Sequence, residues 1–293
     1  MISLVKDNSY SPSQTLMDEA IELAMREDLG SLDPIDLTTA AIVQNDENAY
    51  GTLYCMEEAV VAGIDVFGYV LKKFDRRTTV TPLIPEGDNT TAVPQAIAKI
   101  KGPALAILSG ERLALNLLQR MCGIATTTRK FVELAKPFEI EIRDTRKTTP
   151  GLRIFERMAV NAAGGTNHRF GLFDAILIKD NHIQVAGGVA TAIERARTAN
   201  PDRPIQVEVT SLDEVATALE HRANALLLDN MNPTMVRRSI AAAQGLAFIE
   251  VSGGVNLNNI KDYLIPGVNA ISVGALTHSA PNIDISLEIE EYQ

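Results

Sequence analysis

From residue 139 onward the chain alternates short aliphatic or β-branched runs with helical segments, and this rhythm restricts the fold more than any other feature. The runs are 139–143, 175–179, 205–209, 225–229, 248–251 and 270–273, and the helices between them include 187–199, 212–221, 233–243 and 257–264. Strands that read as buried and non-alternating, separated by helices, predict a parallel sheet. The count is six βα units, short of a standard (β/α)₈ barrel. A smaller barrel and an open doubly wound sheet both fit, and periodicity does not choose between them.

The residues before this alternation read as mixed α and β. Leu16, Ala20, Leu23 and Ala24 recur at helical spacing and Gly30 stops the run. Strands are expected over 51–61 and 96–101, with the turn-rich 81–94 between them as loop and sheet edge. A long helix is expected over 109–135, with Leu113, Leu117 and Leu118 on its apolar side and Gly123 dividing it. The domain junction belongs in or near that helix. This gives an N-terminal α/β domain over 1–112, joined by the tail 280–293, and a second domain over 113–279.

Composition narrows the function classes. At 293 residues, 46% hydrophobic, the chain can bury a sizeable core. Its net charge of −10 argues against nonspecific nucleic-acid binding, though not against a small basic pocket. Two cysteines, Cys55 and Cys122, are too few for a disulfide framework or a structural zinc site; they read as small buried hydrophobes in a reducing, cytoplasmic setting. Met1–Asp7 show no basic stretch leading into an apolar run, so no signal peptide is expected, and no segment is apolar for long enough to span a membrane.

The polar residues gather at one place in the pattern. The strand runs end in Asp144-Thr145-Arg146-Lys147, Lys179-Asp180, Glu208, Asp229, Ser252-Gly253-Gly254 and Gly274-Ala275. In parallel α/β folds these carboxyl ends line one face, where ligands bind. Ser252-Gly253-Gly254 and Ser272-Val273-Gly274-Ala275 look like phosphate cradles, since glycine lets backbone N–H groups approach an anion.

Residues 143–182 hold seven Lys or Arg against four Asp or Glu, a local excess of cations in a chain of net charge −10. Arg153 and Arg157, four apart on a helix, read as a solvated face. Arg146, Lys147, His168, Arg169 and Lys179 sit instead at strand ends or near the Gly164-Gly165 turn, and their charges call for a substrate with several negative groups. Glu208 and Asp229 lie at adjacent strand ends within this positive surround. They suit Mg²⁺ shared with phosphate oxygens, stabilisation of a cationic transition state, or plain helix capping and lysine pairing. His221 ends a helix and His278 follows the last strand, and neither points to a site. There is no P-loop and no Gly-x-Ser-x-Gly elbow.

Read together, these blocks resemble the quinolinate phosphoribosyltransferase family. The resemblance runs over nearly the whole chain. It is carried by Gly110–Asn116, Asp144–Gly151, Gly164–Arg169, Ile178–Ile183, Glu208-Val209, Leu228–Met231, Ser252–Gly254 and Ser272–His278. It implies an N-terminal α/β sandwich-like domain and a C-terminal irregular six-stranded α/β barrel. It implies a homodimer, or a hexamer built from dimers, in which the N-terminal domain of one subunit covers the barrel mouth of the other. The implied reaction joins quinolinate to phosphoribosyl pyrophosphate with Mg²⁺, giving nicotinate mononucleotide, pyrophosphate and carbon dioxide. By position, Arg146, Lys147, His168, Arg169 and Lys179 match the groups that hold carboxylates or phosphates. Arg112 matches an arginine offered from the partner subunit, and Glu208 and Asp229 match the acids near ribose and metal. Ser252, Gly253, Gly254, Gly274 and Ala275 match the 5′-phosphate loops. The catalytic roles fall to Lys147, Glu208 and Asp229.

Two positions depart from the family pattern. The Gly-Asp-x-Thr-Thr step is here Ile35-Asp36-Leu37-Thr38-Thr39, after Ser31–Pro34, and Ala163 stands where a third glycine often precedes Gly164. Other readings stay open at this point. One is the paralogous molybdenum-transport-associated protein of the same fold, disfavoured by Asn167-His168-Arg169 and Lys179–His182. Another is a barrel aldolase using Lys179 as a Schiff-base lysine, which borohydride trapping would reveal. A third is a phosphosugar-binding regulator, which would bind without turnover.

Overall fold

A computed structural model describes residues 14–30, 35–44 and 47–290. The N-terminal seven residues and Ser31–Pro34, on which expectations were stated, lie outside the described residues. The elements, in chain order, are α1 (Gln14–Leu29), α2 (Leu37–Ile42), β1 (Asn48–Cys55), α3 (Ile64–Phe74), β2 (Thr79–Pro82), β3 (Gln95–Pro103) and α4 (Ala104–Ala135). Then come β4 (Glu141–Arg143), α5 (Arg153–Ala162), β5 (Ile176–Ile178), α6 (Asp180–Ala186), α7 (Val189–Ala199), β6 (Ile205–Val209), α8 (Leu212–Glu220) and β7 (Ala225–Asp229). The last are α9 (Pro233–Ala243), β8 (Phe248–Ser252), α10 (Ile260–Tyr263), β9 (Ala270–Ser272), α11 (Ala275–His278) and β10 (Ile285–Ile289). They form two compact units, one of 14–129, 148–164 and 276–290, the other of 130–147 and 165–275.

The first unit is built on a four-stranded antiparallel sheet in the order β10-β1-β3-β2. The terminal strand β10 thus closes onto β1, pairing Ile285 with Cys55 through Ile289 with Gly51. The helices α3 and α4 bring Phe67, Leu71, Ile107 and Leu118 into the core with Leu53 and Ile97, all fully buried. α1 ends at Gly30, whose φ of +85° and N–H bond to the Arg26 carbonyl make it the left-handed terminator expected there. Ile21 is the buried residue of α1, with Leu16, Ala20 and Ala24 half-buried beside it; of the residues the spacing singled out, Leu23 alone turns outward, at 62% exposure. The departing step at 35–39 is a helix start. Asp36 accepts from the Thr38 and Thr39 N–H groups and from the Thr39 and Ser109 hydroxyls, which caps α2 without a preceding glycine.

α4 runs unbroken through Gly123. Glycine is needed there for closeness rather than for a break, because a Cβ would run into the Pro281 carbonyl. At Ala163, which ends α5, φ is −85°, a conformation any residue adopts; the missing glycine is therefore harmless. Arg153 is not simply solvated, since its Nε donates to the Thr148 hydroxyl at 2.9 Å.

The second unit holds a six-stranded parallel sheet in the order β4-β9-β8-β7-β6-β5, as the alternation predicted. The edge strand β4 gains a further parallel bridge from Arg143 to Thr166. Two elements differ from expectation. The helix expected over 257–264 shrinks to α10, because the side chains of Asn256 and Asn259 bond to backbone groups at 254–258 and hold a turn instead. The helix expected from Gly187 starts at Val189, because Gly187 and Gly188 both have positive φ and separate it from α6.

The strands also alternate more than their composition suggested. In a parallel sheet, paired residues point to the same face. The register aligns Gln206 with Ala225 and Ala225 with Phe248, then Glu208 with Leu227, Leu227 with Glu250 and Glu250 with Ala270. Above these, Asp229 aligns with Ser252, and Arg143 with Ser272. One face therefore carries a buried apolar floor of Ala225, Phe248 and Ala270. Gln206 is level with Ala225 and Phe248, Glu208 and Glu250 are level with Ala270, and Asp229, Ser252 and Ser272 stand above them toward the carboxyl ends.

Candidate active site

The polar layer lines a cavity of about 390 Å³. Its walls include Arg146, Lys147, His168, Arg169, Lys179, Glu208, Asp229 and Ser252 of the residues singled out from sequence. Its volume is in the range of a small-molecule site. Gly253, Gly254, Gly274 and Ala275 follow directly on β8 and β9, beside the lining residues Ser252 and Ser272. Arg112 is exposed on α4, in the other unit, and stands outside this group.

Arg169 is the least solvated of the cations, at 6% exposure. Its Nη1 donates to the Ala175 carbonyl at 2.9 Å, while its buried Nε has no hydrogen-bond partner among the described residues. Burial, and after it the like charge of Arg146, hold its pKa below the usual arginine value. A buried guanidinium with a donor to spare, beside a second one, has the chemistry to receive an anion. The segment carrying it is held by Asp144, itself fully buried, which accepts from the His168 N–H at 2.7 Å and from Asn167 Nδ2 at 2.6 Å.

Lys179, also in the lining, has its Nζ 3.0 Å from Glu208 Oε2. Asp229 Oδ2 accepts from Asn230 Nδ2 at 2.7 Å. The loop after β8 has two left-handed glycines, Gly253 at φ +93° and Gly254 at φ +65°. A Cβ on Gly253 would meet the Asn230 backbone nitrogen at 2.7 Å, whereas Gly254 faces open space, the arrangement of a backbone surface that an anion can approach. Among the described residues, no group of three or more His, Cys, Asp or Glu is placed to hold a metal. The two cysteines are buried and free, and burial pushes the Cys122 thiol up to about 12.

The residue that the sequence reading passed over is Glu250. It is fully buried in the middle of β8 and lines the cavity floor. Burial works against its charge, but His168, Arg143 and the Ser272 hydroxyl outweigh it and bring the carboxyl down to about 2. Gln206, one layer lower, donates to it at 2.8 Å. The signal was present in the sequence: an acid inside the apolar run Phe248-Ile249-Glu250-Val251 is costly unless partners await it.

The chain is similar to known proteins over nearly its whole length. Residues 36–122 match the N-terminal domain and residues 124–288 the C-terminal domain of quinolinate phosphoribosyl transferase. The chain is 38% identical to the probable nicotinate-nucleotide pyrophosphorylase (carboxylating) of Bacillus subtilis, over 87% of this chain and 88% of that one. It is also 38% identical to the nicotinate-nucleotide pyrophosphorylase (carboxylating) of Mycobacterium leprae, over 92% and 96%. The solved nicotinate-nucleotide pyrophosphorylase of Francisella tularensis superposes with a TM-score of 0.87 at 33% identity, covering 99% of this chain and 100% of that one. The chain belongs to the quinolinate phosphoribosyl transferase family.

Proposed function

We propose that the chain is a pentosyltransferase of NAD biosynthesis that transfers the phosphoribosyl group of phosphoribosyl pyrophosphate to quinolinate. The products are nicotinate mononucleotide, pyrophosphate and carbon dioxide. The observation that carries this reading is the pair Arg146 and Arg169 on one cavity wall, the latter buried with an unused Nε. Quinolinate is a dianion, and removing it from water demands fixed cations in matching positions.

Arg146, Lys147, Arg169 and Lys179 receive carboxylate and phosphate oxygens, with His168 beside them. The C1′–oxygen bond to pyrophosphate breaks as the pyridine nitrogen bonds to C1′. In the transition state, with both bonds partial, C1′ carries oxocarbenium-like charge that Glu208 and Asp229 stabilise, while Lys147 stabilises the departing pyrophosphate. Holding the nitrogen in line with C1′ is a positioning task for the same cations. The ring nitrogen, now cationic, stabilises the electron pair that stays on C2 when the 2-carboxylate leaves as carbon dioxide, and C2 then takes a proton. Ser252, Gly253, Gly254, Gly274 and Ala275 offer N–H groups and a hydroxyl to the 5′-phosphate.

Glu208 and Asp229 suit Mg²⁺. Both are oxygen donors on neighbouring strands, and magnesium is commonly held by one or two carboxylates together with substrate phosphates rather than by a protein cage. Bound there, the ion would supply charge neutralisation at the pyrophosphate. In this reading the chain works as a homodimer or a hexamer, Arg112 enters the site from a partner subunit, and the setting is cytoplasmic. No helix among the described residues is long and apolar enough to cross a membrane. An aldolase reading gains nothing from the ion pair that Lys179 makes with Glu208.

The test is incubation of the full chain with quinolinate, phosphoribosyl pyrophosphate and Mg²⁺, with nicotinate in parallel. Nicotinate mononucleotide and carbon dioxide from quinolinate, and no turnover of nicotinate, are expected. Absence of nicotinate mononucleotide from quinolinate would overturn the reading.

A further inference from the structure

We infer that Glu250 is a positioning residue that sets the tautomer of His168 and, through it, the placement of Arg169. The inference rests on the activity proposed above, since it assigns the part Glu250 plays in quinolinate binding.

Glu250 Oε1 accepts from the Ser272 hydroxyl and lies 3.4 Å from His168 Nε2, while Oε2 accepts from Gln206 Nε2 at 2.8 Å and Arg143 Nη1 at 3.4 Å. All of these partners present protons. A carboxylate, with acceptors only, satisfies every one of them; an amide of the same shape must turn an NH₂ toward donors on one side. On the far side of the imidazole, His168 Nδ1 accepts the Arg169 backbone N–H at 2.8 Å. A nitrogen that accepts there carries no proton, so the ring proton sits on Nε2 and faces Glu250. The chain of contacts therefore runs from a buried carboxylate, through one imidazole, to the main chain of the arginine with the unused Nε. Asp144 fixes the same segment from the His168 N–H, and Glu250 meets the ring itself at Nε2. With both ring nitrogens engaged by protein, His168 serves the site through Arg169.

The test uses the full chain in three measurements. Turnover by the unmodified protein reports on the proposed activity alone. Long-range ¹H–¹⁵N spectra of the same protein read the His168 tautomer directly; the chain has four histidines, and the signal lost in His168→Asn assigns it. The Nε2–H tautomer is expected at neutral pH, and an Nδ1–H or doubly protonated ring overturns the inference whether or not the enzyme turns over. Calorimetry on Glu250→Gln is expected to show quinolinate affinity weakened by about tenfold or more, the scale of one charge-assisted hydrogen bond. Phosphoribosyl pyrophosphate affinity should stay within about twofold, a split that general loosening of the fold would not give. Unchanged quinolinate affinity, or equal loss for both ligands, overturns the inference. If Glu250→Gln does not fold, the tautomer of the unmodified protein decides.

Discussion

Replacing Arg169 with alanine tests the anion site where its environment is best defined. Among the described residues the guanidinium donates to the Ala175 carbonyl, and it lies in a buried position next to Arg146. Removing it deletes that bond, worth about 1 kcal/mol, and the attraction to Asp174, but also removes a desolvated charge and its repulsion with Arg146. The two effects oppose each other, so folding stability should change by no more than about 1 kcal/mol. Quinolinate binding has no such offset. Its carboxylate loses a charge-assisted hydrogen bond worth about 1.5–3 kcal/mol, which raises Kd by roughly 10–150-fold. Arg169→Lys keeps the charge and loses the planar fork, so its Kd should fall between the two. Calorimetric titration with quinolinate, with thermal melts as the control for folding, reads all three proteins. A folded Arg169→Ala protein that binds quinolinate like the unmodified one would refute the assignment.

Two further outcomes follow from the geometry. Glu250 has a folded-state pKa lowered to about 2, so its contribution to stability is complete above the unfolded carboxylate value and is lost as pH falls through the folded one. Thermal melts should show a loss on the order of 3 kcal/mol between about pH 5 and pH 2, with a shallower slope in Glu250→Gln; parallel slopes would contradict this. Gly253→Ala places a Cβ against Asn230 in a left-handed conformation, so phosphoribosyl pyrophosphate affinity should fall along with about 1–3 kcal/mol of stability. Measured affinity equal to the unmodified protein would remove that loop from the phosphate site.

The sequence made the parallel sheet and most of the cavity legible because both depend on short-range pattern. Aliphatic runs mark strands, and a charge at the carboxyl end of a strand in a parallel sheet has one face to occupy. That logic reached Arg146, Lys147, Lys179, Glu208 and Asp229, all of which line the cavity. It missed Glu250 because a residue in mid-strand was read as core. Only the register, which places Glu250 beside Leu227 and above Phe248, shows that this face is the polar interior of the site. The same limit explains Gly123. From sequence a glycine in a helix signals a break, and only the approach of Pro281, some 160 residues on, shows that it serves contact instead. Leu23 fails for a related reason, since helical spacing gives a face but not what the face meets.

The most direct test is a crystal structure of the protein with quinolinate bound. We expect the ring in the cavity between β4 and β7, with its two carboxylates on the guanidinium groups of Arg146 and Arg169. Quinolinate bound elsewhere, or those arginines turned away from it into solvent, would contradict the claim that this cationic cavity exists to hold a doubly acidic ring.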